Sequence, residues 1–458
     1  MTIRPPTEKT KMRRNLFNAS AILMAAFVVS QVLRFAGNIV LAKLLSPSAF
    51  GVVAVVNLLI LALNLLSDVG LRLIVIQRKG VITKEFINTI WVLQIARGGL
   101  IWVLSLVSAL GLRLLQLNNF IDATSAYADP TLPFLIVGAA SAALFQGFES
   151  TKSLTVRREL SLGRVTAIGL ISQVLAMILM IVIARITTSP WALVIGGVAA
   201  AFIQCTLSHA WLPGDGNRLY FDKSIAWEVI SKGRWIFVSS MVSFLGGNAD
   251  ILLLGGLVDP AALGNYVVAF QLINVGQMLT GTISGNVIFP AFSAARRDNP
   301  TGIKAEYSRI QLVSDALVLT SAGIFATAGS AIVTLLFDHR YALAGQVLSC
   351  LAIGAVGLRY YVVEQLMNAD GNFRLTTTIA VIRLVALVAG TYIGFRLGGI
   401  VGAAIGVGMS TFAGWPLCLR YLMKNVGVQW RIEVAAIGFV VLGSGLGLVL
   451  SYLIHLYK

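Results

Sequence analysis

The sequence predicts an all-α polytopic membrane protein, and three observations carry this prediction. The chain has 458 residues, of which 57% are hydrophobic and only 12% are charged, whereas a soluble domain carries about 25% charged residues. Apolar runs of roughly 20 residues, long enough to cross a bilayer core, recur along the whole chain. The basic residues gather in alternate connections between these runs. Because lipid offers no hydrogen-bond partner to bare backbone, each run should be a helix.

Thirteen spans follow from the apolar runs, and the basic residues orient them. Of the 35 Lys and Arg residues, 25 lie in the N-terminal tail and in every second connection, and six lie on the opposite side. This bias predicts a cytoplasmic N-terminus and an external C-terminus. The net charge of +16 is explained in the same way, so no nucleic-acid partner is expected. The predicted spans are 18–44, 49–77, 85–112, 132–152, 163–186, 190–212, 234–258, 261–290, 308–337, 341–368, 375–396, 399–423 and 433–455.

Two six-helix halves are predicted from an internal match. The stretch NIVLAKLLSPSAFGVVAV places Pro47 and Gly51 where DILLLGGLVDPAALGNYVVA places Pro260 and Gly264. A Pro-x-x-x-Gly turn at the same point of two bundles indicates a duplication, with the thirteenth span as an addition. The predicted parts are a basic cytoplasmic tail (1–17), an N-lobe (18–212), an amphipathic cytoplasmic linker forming a surface helix (213–233), a C-lobe (234–423) and an extra C-terminal helix (424–458).

Polar side chains on helical stripes identify the candidate site. Polar and ionisable groups inside spans are costly and usually face protein or a water-filled cavity. At 3.6 residues per turn, the first two helices of each predicted half have a polar face, which predicts a polar cavity between the halves. The stripes are Gln31, Arg34 and Asn38; Asn57, Asn64, Asp68 and Arg72; Ser239, Ser243, Gly246 and Asp250; and Gln271, Asn274, Gly281 and Gly285.

Arginine is the cation found within the spans, at Arg34, Arg97, Arg359 and Arg383. Its planar guanidinium binds phosphate oxygens in pairs, which suits an anionic group such as a pyrophosphate. We therefore assign one set of residues to substrate binding and another to coupling or gate ion pairs. The first set is Arg34, Arg97, Arg359, Gln31, Asn38 and Asn64, and the second is Asp68, Arg72 and Asp250.

Plainer interpretations of these charges remain open. Asp68 and Arg72 are four residues apart and could form a local ion pair that lowers the cost of insertion. Arg383, Asp315 and Glu364 could equally satisfy neighbouring side chains. The three cysteines lie in apolar runs without the spacing of a metal or disulfide site, so no metal or cofactor is expected.

Four stretches of the sequence carry a resemblance to a known family, and this resemblance covers nearly the whole chain. They are VLAKLLSPSAFGVVAVVNLLILALNLLSDVGLRLIVIQRKG, GNADILLLGGLVDPAALGNYVVA, IFPAFSAARRDN and LLFDHRYALAGQVLSCLAI. Together they resemble Wzx-type polysaccharide flippases of the colanic-acid and succinoglycan exporter branch. That family belongs to the superfamily shared with multidrug and toxin extrusion transporters and the lipid II flippase.

The resemblance implies a fold and a function. The fold would be two six-helix lobes, with helices one, two, seven and eight lining a cleft. The substrate would be an undecaprenyl-pyrophosphate-linked oligosaccharide, moved across the bacterial inner membrane for exopolysaccharide or O-antigen synthesis. The implied partners are that substrate, membrane lipid, and a polysaccharide polymerase and assembly proteins. Many relatives have fourteen spans, so the single span after the twelfth departs from the family pattern.

Two alternative functions fit the sequence less well. A cation-coupled multidrug or organic-cation exporter of the same superfamily would favour acids and aromatic residues in the cleft, whereas this chain favours arginine. A membrane glycosyltransferase or polymerase would need catalytic acids on sizeable outer loops. The longest predicted outer loop, 113–131, holds only Asp122 and Asp129 as acids. We therefore expect a transporter and not an enzyme.

Overall fold

The computed structural model describes residues 8–456 except 68–69, 72–73, 76–77, 79–82, 159–161, 284–287, 299–301 and 428–429. Most of the described residues are helical, the longest described non-helical segment is 212–222, and none of the described residues lies in a β-strand. The helices are α1 Glu8–Leu44, α2 Pro47–Leu66, α3 Lys84–Leu117, α4 Leu132–Phe148, α5 Lys152–Arg158, α6 Leu162–Thr187, α7 Trp191–Trp211, α8 Lys223–Leu257, α9 Pro260–Ile283, α10 Phe289–Asp298, α11 Ile303–Leu336, α12 Ala342–Gly357, α13 Tyr361–Ala369, α14 Phe373–Ser410, α15 Trp415–Asn425 and α16 Trp430–Leu456.

Within the described residues, nine helical stretches are long and apolar enough to cross a membrane. The number becomes ten if α4 and α5, which are bent by 63° relative to each other, form one span. The all-α polytopic class predicted from the apolar runs is confirmed, and the count of thirteen stays a prediction.

One of the nine stretches, Phe373–Asn425, turns back on itself. The backbone of Gly398 and Gly399 leaves the helical region, and Gly399 has a φ of +59°. A Cβ atom added to Gly394 would lie 2.2 Å from the carbonyl oxygen of Gly402, so the two arms pack with their backbones in contact. The turn falls between the predicted spans 375–396 and 399–423, where only glycine tolerates such a conformation.

Contacts divide the chain into two units, and the first comprises Met1–Leu45, Val55–Ala123 and Tyr127–Phe244. Inside it α3 packs on α4, α4 packs on α7, and α6 packs on both α1 and α7. The α3–α4 contact is close, since a Cβ added to Gly98 would lie 2.4 Å from the Ala143 carbonyl oxygen. Small residues permit such approach between helices in lipid. The Gln94 side-chain amide donates to the carbonyls of Gln146 and Glu149, which end α4.

The second unit comprises Ser46–Ala54, Thr124–Ala126 and Leu245–Lys458. Here α12 lies against α9, α11 and α14, and α11 also packs along α16. The α11–α16 contact again depends on small residues, because a Cβ added to Gly443 would lie 2.2 Å from the Thr320 carbonyl oxygen. The Thr327 hydroxyl donates to the Ser444 carbonyl at 3.1 Å. The predicted extra C-terminal helix is therefore an integral part of this unit.

The two Pro-x-x-x-Gly turns pack against each other inside the second unit. Pro47 and Pro260 are the first residues of α2 and α9. A Cβ added to Gly51 would lie 1.9 Å from the Pro260 carbonyl oxygen, and one added to Gly264 would lie 1.8 Å from the Pro47 carbonyl oxygen. Such reciprocal contacts between a glycine of one turn and the proline of the other are expected when the two turns are related by a local two-fold axis. The duplication of the remaining helices stays a prediction.

The predicted surface helix between the halves differs in the structure. Residues 213–222 are not helical, and the helix that begins at Lys223 continues without a break to Leu257 as α8. Val229 is fully buried and packs against Phe86 and Ile90 of α3, while the Trp227 side chain is exposed. The stretch forms the first turns of a long helix, and its apolar residues divide between Val229, which packs on protein, and Trp227 and Ile230, which are exposed.

Candidate functional site

Arg34 lies in the apolar part of α1, which runs from Ala25 to Leu44. Its side chain is exposed, and no carboxylate of the described residues forms an ion pair with it. Gln31 and Asn38, one turn away on either side, are half-buried, and each has a polar partner. The first stripe therefore holds a guanidinium whose charge no described acid offsets.

Arg97 and Asn64, both predicted to bind substrate, are in direct contact. The Arg97 Nη2 donates to the Asn64 carbonyl at 2.9 Å, and its Nε donates to the Ser67 hydroxyl at 3.1 Å. The Asn64 side-chain amide donates to the Ile60 carbonyl at 2.9 Å. Because the carbonyls at the C-terminal end of a helix lack intrahelical partners, Arg97 caps the end of α2.

Arg359 is buried in a cluster of charges within the second unit. It lies in a 3₁₀ turn, Leu358–Tyr360, that separates α12 from α13. Its Nη2 and Nε bind the two carboxylate oxygens of Asp315 at 2.8 and 3.2 Å, and its Nη1 binds Glu433 at 2.6 Å. The Gln311 side-chain amide also donates to Asp315, at 2.7 Å. The positive charge predicted to hold a phosphate is thus already bound by two carboxylates.

Arg383 forms a second, partly buried ion pair in the same unit. Its Nη1 lies 2.6 Å from the Glu364 carboxylate, and the guanidinium lies over the Tyr361 ring at 5.3 Å from the centroid. The plainer interpretation, in which Arg383, Glu364 and Asp315 satisfy neighbouring side chains, is confirmed by these contacts.

Asp250 is buried in α8, with a single described partner for its side chain. The Tyr266 hydroxyl of α9 donates to Asp250 Oδ2, and Oδ1 has no hydrogen-bond partner within the described part of the chain. Both side chains are inaccessible to solvent. A buried carboxylate with one unsatisfied oxygen is costly unless it carries a proton or binds a cation. The arrangement can therefore take up a positive charge.

Two predicted gate residues, Asp68 and Arg72, lie outside the described residues. Between Ser67 and Thr83 the structure describes only residues 70–71, 74–75 and 78, so the proposed ion pair stays a prediction. In the described part of the chain, no group of three or more His, Cys, Asp or Glu side chains is arranged to hold a metal.

Sequence reasoning missed three residues that complete these groups: Tyr266, Glu433 and Gln311. Tyr266 is 16 residues from Asp250, in the following helix. Glu433 is 74 residues from Arg359 and begins the extra helix. Gln311 precedes Asp315 by one turn of α11, and this spacing was the one signal in the sequence that could have found it.

Comparison with known proteins gives the family. A family model described as "Polysaccharide biosynthesis protein" matches residues 40–344. The teichuronic acid biosynthesis protein TuaB of Bacillus subtilis (strain 168) is 25% identical over 316 residues, which cover 67% of this chain and 60% of TuaB. The lipopolysaccharide biosynthesis protein WzxC of Escherichia coli (strain K12) is 21% identical over 377 residues, which cover 80% of this chain and 72% of WzxC.

Two solved structures share the fold. The lipid II flippase MurJ in an inward closed conformation superposes with a TM-score of 0.68 at 13% identity, over 95% of this chain and 97% of that chain. An inward-facing multidrug resistance MATE family transporter of the MOP superfamily gives a TM-score of 0.62 at 15% identity, over 91% of this chain and 98% of that chain. Both likenesses show the fold of this chain. Because the family model covers more than half of the sequence, this membrane protein belongs to the polysaccharide biosynthesis protein family and has the fold of MurJ and the MATE transporters.

Proposed function

We propose that this protein is a flippase for an undecaprenyl-pyrophosphate-linked oligosaccharide repeat unit. It would act by alternating access in the bacterial inner membrane, with a cytoplasmic N-terminus, and serve exopolysaccharide or O-antigen synthesis. Family membership supports a role in polysaccharide biosynthesis. The relative WzxC, named for lipopolysaccharide biosynthesis, and the fold shared with a lipid II flippase support movement of a lipid-linked saccharide.

The observation that carries the proposal is the exposed guanidinium of Arg34 in an apolar helix. Of the four arginines predicted within spans, Arg359 and Arg383 are bound by carboxylates, and Arg97 caps a helix end. A charge within the bilayer is costly to keep, so its retention indicates a function. In a medium of low dielectric constant it attracts a passing anion strongly. Arg34 would therefore be the main pyrophosphate ligand.

The other predicted residues take secondary roles in this proposal. Gln31 and Asn38 share the face of Arg34 and would add hydrogen bonds to the substrate. Arg97 and Asn64 would lie further along the same path, with Asp68 and Arg72 at its cytoplasmic end. Asp250, bound to Tyr266, would take up the coupling proton or cation.

Replacement of Arg34 tests the proposal by complementation. In cells that lack their own copy of the gene, Arg34→Gln should reduce polymer export about 30-fold, because the loss of a charged hydrogen-bond donor costs about 2 kcal/mol. Arg34→Lys should retain part of the export, since it keeps the charge but loses paired binding. The readout is polymer released per cell at matched membrane levels of the protein.

The matched control is Arg185→Gln, which removes an exposed arginine from the last turn of α6. This variant should export normally. Normal export by Arg34→Gln would remove Arg34 from the substrate path. If Arg34→Gln instead raised sensitivity to cationic drugs and left export intact, the exporter alternative would replace the flippase.

A further inference from the structure

The first unit carries a cleft of about 740 Å³ that the proposed function does not use. The cleft lies between the start of α3, the bend between α4 and α5, and the non-helical residues ahead of α8. Its charged side chains are the cations Lys84, Lys152 and Arg218 and the acids Glu85 and Asp215, and Asn217 and Leu219 also line it.

Hydrogen bonds fix the walls of the cleft in place. The Ser150 hydroxyl donates to Asn217 Oδ1 at 2.8 Å, and the Asn217 amide donates to the Thr151 hydroxyl at 2.5 Å. The Arg218 backbone N–H donates to Asn88 Oδ1 at 3.0 Å. Ser150 and Thr151 are each only 1% exposed. The non-helical segment is thus held by buried polar side chains, which makes the cleft a preorganised site.

One cation of the cleft pairs with the Asp215 carboxylate, and two more act on it through space. The Lys84 ammonium lies 2.8 Å from Asp215 Oδ2, and both side chains are largely exposed. The hydrogen bond and charge of Lys84, followed by the charges of Arg218 and Lys152, lower the pKa of the Asp215 carboxyl. Asp215 stands between Gly214 and Gly216, and Gly214 has a φ of +126°. The chain's own carboxylate therefore pairs with a cation of the cleft, and a bound phosphate would compete with it for that cation.

Large apolar side chains border the cationic cleft. Leu219 is 79% exposed, Phe221 is 55% exposed, and Tyr220 is also exposed. Leu219 and Tyr220 line the cleft itself. In a membrane protein, basic residues beside exposed aromatic and aliphatic residues are typical of the interface between headgroups and acyl chains. The surface is therefore complementary to a molecule with an anionic head and an apolar tail.

We propose that this cleft binds the phosphate group of an anionic phospholipid, with Leu219 and Tyr220 against the first part of its acyl chains. Arg218 and Lys152 bind the phosphate oxygens, because Arg binds them in pairs and Lys as a point charge. Lys84 joins them when the phosphate displaces Asp215. The site uses none of the residues assigned to the substrate path, and its presence does not depend on the flippase proposal.

Native mass spectrometry of the full-length protein tests the site. The protein in detergent is offered equal amounts of phosphatidylglycerol and phosphatidylcholine, and the lipid retained by each protein molecule is counted. The unmodified protein should retain one phosphatidylglycerol in preference to phosphatidylcholine. Arg218→Glu should lower this retention about tenfold, since a basic residue near a lipid headgroup contributes about 1 kcal/mol and its reversal costs more.

Two further variants separate a specific site from general attraction. Lys223→Glu reverses an exposed charge outside the cleft and should leave retention unchanged. Asp215→Asn removes the competing carboxylate and should raise retention, a gain that misfolding cannot produce. Equal losses in Arg218→Glu and Lys223→Glu, or a decrease in Asp215→Asn, would overturn the proposal. Displacement of phosphatidylglycerol by millimolar inorganic phosphate would also overturn it, because the cleft would then be a site for free phosphate.

Discussion

At the scale of single residues, the fate of each intramembrane arginine depends on its neighbours. Arg359 is only 8% exposed and binds Asp315 and Glu433, so its charge holds the 3₁₀ turn to α11 and to the start of α16. Removing one partner from a buried ion pair leaves an uncompensated charge, whereas replacing both with apolar residues can be nearly neutral. Comparing the loss of one partner with the replacement of both therefore distinguishes a structural role of Arg359 from a substrate-binding role.

Arg359→Met should destabilise the protein by several kcal/mol, because Asp315 is then buried without its cation. The double variant Arg359→Met with Asp315→Leu should recover most of the loss, and Glu433, which is 34% exposed, can turn to solvent. The fraction that stays monodisperse in detergent after heating measures both effects. Export by the stable double variant should be near normal. A stable but inactive double variant would instead assign Arg359 to the substrate path.

The positions of these arginines could be predicted from the sequence, but their partners could not. A charged residue within an apolar run can be recognised from the sequence alone. The sequence therefore identifies Arg34, Arg97, Arg359 and Arg383. Arg359 meets Glu433 across 74 residues, and no periodicity connects positions that far apart. The phosphate-binding role predicted for Arg359 rested on its charge alone, which two distant carboxylates offset.

At the scale of helices, glycine determines where the backbones approach. The break of α14 at Gly398 and Gly399 fell between two predicted spans, because apolar runs and glycine pairs are local signals. The start of α8 at Lys223 was harder to predict. Its first turns carry the polar face of a surface helix, and only packing against α3 shows that Val229 is buried by protein.

Gly264→Ala should reduce the amount of folded protein, because the new Cβ would lie 1.8 Å from the Pro47 carbonyl oxygen. A backbone oxygen cannot yield as a flexible side chain does, so α2 and α9 must separate or the helix must shift. We expect a loss of a few kcal/mol, within the range for overpacked contacts. Thermal unfolding in detergent provides the measurement.

Gly99→Ala is the matched control for this prediction. It also lies within a helix, and a Cβ added there meets no atom within 4 Å. Because alanine favours the helix over glycine by about 1 kcal/mol, this variant should be as stable as the unmodified protein or more so. Equal stability of the two variants would mean that the α2–α9 contact is looser than the structure describes.

At the scale of the whole molecule, the number of membrane crossings determines on which side of the membrane the C-terminus lies. The described residues contain nine or ten candidate spans, one of which turns back at Gly399. The apolar runs predict thirteen crossings, and with that count 25 of the 35 basic residues would lie on the side of the N-terminus. An odd number of crossings places the two ends of the chain on opposite sides. Whether the last helix, α16, crosses the membrane therefore determines whether the number of crossings is odd or even.

Fusions to alkaline phosphatase, which is active only outside the cytoplasm, test this arrangement. A fusion after Asn425, at the end of α15, should be inactive because Arg420 and Lys424 keep that connection in the cytoplasm. A fusion after Lys458 should be active, since α16 carries the chain back across the membrane. A green fluorescent protein at the same two positions should give the opposite pattern, which controls for expression. Two inactive phosphatase fusions would show that α16 does not cross and that the C-terminus lies in the cytoplasm.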